Sequence, residues 1–313
     1  MADRIAIRRL RRHLECAIAI GLSALLIGCT TSPAAKLAAD KQHLQRVATA
    51  LAKQTDADSL AAAGLLSLPS RPDDSVALIG RATAAAPERP DLVWLQAQVC
   101  QTVTRCDPEP IERHLRELDP SNGAGWMGAL ARAHSSRNDE ATDAALLAIG
   151  HSDRVDIYWT TLIARLSRAT AQTKTISLKE ADLVIIGVLA AYSIPTYSGV
   201  SGACKGERLQ RAEIIGACRG VAGAFERGDT YVTEMIGVAI AKRVWPEDSP
   251  EWKAAAEARR AFEYRSKFWP SLDRRDMSHT EEYLTLCAQN RREQDVVRAQ
   301  LIAEGKNPNP LPE

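Results

Sequence analysis

The chain has 313 residues, 45% of them hydrophobic and 25% charged, with 40 Lys and Arg against 39 Asp and Glu. That length supports one large domain or two small ones with a proper core. Charges of both signs are interspersed, which leaves no basic footprint for nucleic acid, and no cofactor is expected.

Arg4, Arg8, Arg9, Arg11 and Arg12 precede an apolar run from Cys16 to Ile27, the charged-then-apolar layout of a secretory signal. The run is too short for a membrane span, which takes about 20 apolar residues. A plain secretory cleavage site is poorly matched by Ser32-Pro33-Ala34-Ala35. The pairs Arg8-Arg9 and Arg11-Arg12 leave twin-arginine export open beside the general route. Leu26-Ile27-Gly28-Cys29 resembles the lipobox of bacterial lipoproteins. The resemblance implies a diacylglycerol on the Cys29 thiol, cleavage after Gly28, and membrane attachment through lipid. Thr30 stands where an aspartate would retain a lipoprotein at the inner membrane, so the resemblance points to the periplasmic face of the outer membrane. Loss of residues 1–28 leaves 285 of the 313 residues; five arginines depart with Asp3 and Glu15, and the formal charge falls from +1 to −2. Two or three acyl chains suffice for stable anchoring.

Of seven cysteines, Cys16 leaves with the signal and Cys29 carries the lipid. In an oxidising periplasm the close couples Cys100/Cys106 and Cys204/Cys218 are disulfide candidates. Cys287 is then odd, either a small buried hydrophobe or a competitor for Cys218. Neither couple has zinc-ligand spacing, and no histidine pair accompanies them, so no metal site is expected.

Residues 29–36 read as a tether. From residue 37 the spacing of Leu44, Val47 and Leu51 predicts an amphipathic helix to about Lys53. Three junctions then resemble one another, ending in Trp94, Trp126 and Trp159, which lie 32 and 33 residues apart. That period, with turn residues between apolar helical stretches, predicts stacked antiparallel hairpins. Helices are expected over 92–101, 109–118, 125–134, 140–149 and 157–168, with an earlier unit over 60–66 and 74–86. This region resembles the tetratricopeptide repeat: a Trp early in the first helix, small residues such as Gly128 and Ala131 where helices cross, and a proline ending the unit. The predicted fold class is all-α, a tetratricopeptide-like array over 37–170 continuing into an irregular helical region over 171–306, with a tail at 307–313. The three tryptophans are candidate partner contacts, weighed against an ordinary packing role between helices.

Beyond residue 170 the capping box Ser177-Leu178-Lys179-Glu180 opens an apolar helix to Tyr192, expected to be central and buried. Residues 194–206 read as an irregular segment, followed by helices over 207–227, 230–244, 250–267 and 279–304. Gly199-Val200-Ser201-Gly202-Ala203 approaches the serine-hydrolase elbow, but no strand precedes it. His114, with Glu112 and Glu117, reads as a solvated helix face. Lys253, Arg259, Arg260, Arg265 and Lys267, interleaved with Glu251, Glu257 and Glu263, read as a salt-bridged surface. No catalytic residue is assigned. The expected function is a lipid-anchored periplasmic scaffold that binds another envelope protein or peptide. The alternative is an envelope hydrolase with its site in the C-terminal half, and a third reading is a purely structural spacer.

Overall fold

The computed structural model describes residues 33–268 and 277–309. Cys29, with the lipobox and signal expected there, lies outside the described residues. The chain divides into two units, Met1–Leu44 and Gln45–Glu313, of which the second is the folded body considered below. The first helix, α1 (Pro33–Leu51), begins inside the expected tether. A proline suits that position, because the first turn of a helix needs no donor there. From Gln45 onward α1 belongs to the body, where Val47 and Leu51 are buried.

The described residues form α-helices and two short 3-10 turns, with no strand. Six helices make three hairpins: α2 (Ala57–Ser67) with α3 (Pro72–Ala85), α4 (Pro90–Gln101) with α5 (Glu109–Leu118), and α6 (Met127–Ser135) with α7 (Asp139–Gly150). Local chemistry sets their starts. Asp56 and Asn138 cap α2 and α7 by accepting the N–H of Ser59 and Ala141, each such cap being worth about 1 kcal/mol. Pro72 and Pro90 stand in the first turns of α3 and α4. The hairpin containing α6 opens with a 3-10 turn, Gly123–Trp126, where a continuous helix over 125–134 is expected.

The remaining helices are α8 (Trp159–Gln172), α9 (Leu178–Tyr192), α10 (Ser198–Ala203), α11 (Ala212–Glu226), α12 (Tyr231–Val244), α13 (Pro250–Ser266), α14 (Met277–Gln289) and α15 (Glu293–Ala303). The third Trp-bearing helix, α8, does not follow α7 in the stack. It packs against α2, α9 and α14, while α11 lies against α7 and α12 against α11. The α7/α11 crossing is made by glycine: a Cβ on Gly150 would stand 2.7 Å from the Ala217 carbonyl oxygen, and one on Gly220 would overlap the Gly150 carbonyl. Backbone therefore rests on backbone, which only residues without a Cβ permit.

Several expectations are corrected by this arrangement. The capping box of α9 forms as expected, yet the helix is not central: Ala181, Ile185 and Leu189 face inward while Leu183 is 54% exposed. A run apolar on every side carries no periodicity to say which face a neighbour covers. The segment 194–206 contains the short helix α10, and the stretch expected as one helix over 207–227 is a 3-10 turn, Gly206–Gln210, followed by α11. The helix expected over 279–304 is broken at 290–292 into α14 and α15.

Candidate functional site

Both expected disulfides are present, Cys100–Cys106 with a Cα separation of 5.2 Å and Cys204–Cys218 with 5.7 Å. The first closes the turn between α4 and α5, and the second ties the end of α10 to the middle of α11. Cys287 is a buried thiol in the core. The tryptophans are placed differently from candidate partner contacts. Trp94 is 1% exposed and Trp159 is also buried, so both are packing residues. Trp126 is half-buried, and the Arg116 guanidinium lies 4.3 Å from its ring centroid. No open aromatic face results.

The repeated junctions do bind something, namely each other. Asn122 Nδ2 donates to the Asp156 carbonyl and the Tyr158 hydroxyl, both at 3.0 Å, and Asn122 Oδ1 accepts the Asp156 N–H at 2.9 Å. The Arg154 guanidinium spans Asp119, with bonds of 2.9 and 2.8 Å, and Asp156 at 2.7 Å. The Tyr158 hydroxyl donates to Asp119 at 2.7 Å, and this residue holds φ 58, a left-handed conformation fixed by these bonds. Burial and the Asp119 bond both raise the Tyr158 pKa, so the phenol stays protonated.

Two later segments complete the cluster. Asp229, fully buried, accepts the N–H groups of Ile157 and Trp159, each at 2.9 Å, and Arg291 donates to Asp156 at 2.5 Å. Burial pushes the Asp229 carboxyl well above the ordinary range, and the nearby Asp156 charge adds to this; the two N–H groups and Arg291 only partly oppose it. Sequence reasoning leaves residues 228 and 229 between two expected helices, over 207–227 and 230–244, and passes over Arg291. The available signal is a polar interruption inside an otherwise helical run, which gives a place and no partner. The cluster is closed to solvent at its acids, and every group in it serves another segment of the chain, so its role is to fasten loops.

The His134 ring lies against Gly202, next to Ser201, but the two side chains line different cavities. Ser201 sits within α10 with no strand ahead of it, and its cavity, bounded by α12 and α13, contains no histidine. His134 opens into a different cavity of about 520 Å³ with Ser135, Thr196 and Ser198. Glu112 is not solvated as expected: it is 2% exposed and held by Arg132 at 2.7 Å. On α13 the pair Arg259–Glu263 at 2.6 Å fits a salt-bridged surface, whereas Arg265 is buried and donates to the Pro308 carbonyl at 3.1 Å. Among the described residues no group of three or more His, Cys, Asp and Glu is placed to hold a metal ion.

A polar cavity of about 490 Å³ is lined by Asp56, Asp58, Arg165 and Arg168, and an apolar groove of about 480 Å³ lies between α12 and α13. Val232, Met235, Ile236 and Ala239 line its α12 side at helical offsets of three, four and seven, and Phe262 closes the α13 side. Val232 is 46% exposed, one of few large hydrophobic side chains so placed. Arg243 and Arg259 stand among the lining residues, and no carboxylate does. Arg243 Nη1 donates to the carbonyls of Cys204 at 3.0 Å and Ser201 at 3.5 Å, and it forms no ion pair among the described residues. The Cys204–Cys218 disulfide thus fixes the carbonyl that orients this cation. On this face Val232 and Ala239 are exposed, while Met235 and Ile236 are partly buried against the core. No protein-family model, curated protein or solved structure matches the chain.

Proposed function

We propose that the protein is a lipid-anchored periplasmic scaffold of the outer membrane whose helical body binds another envelope protein or peptide. The observation that carries the binding half is the α12/α13 groove, whose apolar lining Val232, Met235, Ile236 and Phe262 is open to a partner. Anchoring is supported by the residues of the N-terminus: five arginines, an apolar run, then Leu26-Ile27-Gly28-Cys29. The apolar run from Cys16 to Ile27 is shorter than the about 20 residues a membrane span takes, and attachment on this reading is through lipid at Cys29. Replacing Cys29 with serine tests it. The substituted protein is expected in the soluble fraction of broken cells while the parent protein sediments with membranes. Equal partition of the two overturns the anchor.

A further inference from the structure

We infer that the α12/α13 groove receives an amphipathic helix of another protein, about three turns long, with a carboxylate at the point where its apolar face ends. This rests on the reading of the groove as the partner site and adds what the partner must be.

Length, openness and charge each bear on the occupant. From Val232 to Arg243 the groove follows α12 for eleven residues, about 16 Å or three helical turns. It is open along one side. An acyl chain laid there would leave much of its surface in water, whereas an amphipathic helix buries one face and keeps its polar back solvated. Met235 gives the floor an adaptable side chain, suited to the uneven knobs of a helix.

Charge fixes the polarity of that partner. Arg243 has carbonyl partners only, and the Arg259 charge is shared with the single Glu263 carboxylate. The two cations against one acid leave the groove positive. A guanidinium with unused N–H donors forms its strongest bonds to carboxylates, frequently two at once. A basic or neutral helix would leave that charge uncompensated at the interface.

The test places a photo-reactive benzoylphenylalanine at Val232, and separately at Leu183 on α9, in the full lipidated chain within the bacterium that encodes it. The crosslinked peptide is mapped by mass spectrometry. The expected product at Val232 is a helical segment of a second protein with Asp or Glu within one turn of the attachment point. A synthetic copy of that segment should bind the purified full chain. Arg243→Glu should weaken binding at least tenfold, and changing the peptide's acid to Lys should restore it. That rescue cannot arise from misfolding. Crosslinks at Val232 to lipid, to α9 of a second copy, or to a segment without an acid overturn the inference, as does an Arg243→Glu protein that binds the acidic peptide unchanged. Protein crosslinks at Leu183 with none at Val232 overturn the inference and leave the scaffold reading standing. No protein crosslink at either position overturns both.

Discussion

Two regions of the body reverse the usual placement of side chains. Where residues 119–126, 152–159, 227–230 and 290–293 meet, acidic side chains are turned inward: Asp156 and Asp229 are buried and held by arginines and backbone N–H groups. Along α12 the apolar side chains of Val232 and Ala239 are exposed, and those of Met235 and Ile236 are partly so. The first arrangement costs desolvation and is sustained only because each acid has partners within the chain. The second leaves part of that apolar area in water, chiefly at Val232 and Ala239. Buried acids with partners inside the chain mark how the protein is built. The groove, with its under-used cation, is the surface on which the proposed function rests.

The sharpest way to break this contrast is to remove Asp229. Asp229→Ala leaves the N–H groups of Ile157 and Trp159 without their acceptor, at an expected cost of about 2–5 kcal/mol, read as a lower urea midpoint. The group also carries a pH signature. An unfolded aspartate titrates at about 4, and the folded group titrates higher. Its contribution is therefore complete below about pH 4 and is lost as pH rises through the raised value. Stability measured across pH for the parent and for Asp229→Asn should differ most steeply in that interval. A pH-independent difference would mean that Asp229 is not the titrating group.

Breaking the Cys204–Cys218 bridge should have a smaller effect that reaches both regions. Its sequence separation of 14 residues corresponds to about 3 kcal/mol in the chain-entropy account. Cys204→Ser with Cys218→Ser should show that loss in urea unfolding, and it should also loosen the carbonyl that orients Arg243. The smallest effect belongs to the groove: Val232→Asp should change stability by no more than about 0.5 kcal/mol, as exposed substitutions do. A large destabilisation there would show that Val232 is a packing residue, and the contrast would fail.

Hairpins and disulfides are legible in the sequence because their signals are local. Helical spacing, the capping box at Ser177 and two close cysteine couples each lie within a short window. The order of packing is not local. The period carries Trp159 on as a third copy, yet α8 turns to α2 because α11, with Gly220, can approach α7 more closely. α9 is legible as a helix and illegible as to burial, since uniform apolarity gives no face. The helix that carries Val232, Met235, Ile236 and Ala239 is legible over 230–244, but that this row lines a groove with Phe262 is a matter of tertiary packing. The lipobox reading belongs wholly to the sequence.

The reach of the buried acids bears on the order of events as the chain acquires its structure. Asp156 and Arg291 are 135 residues apart, whereas α2 meets α3, and α6 meets α7, across a few residues of turn. Local contacts close fast, and distant ones wait for a costly loop closure. A chain emerging from its amino end can therefore pair its hairpins while Asp156 still lacks its distant guanidinium. Folding should show a fast helical phase and a slower phase that Arg291→Ala removes or alters. Until the last fifth of the chain has arrived, the junction at residues 152–159 is a charged loop without its full set of partners.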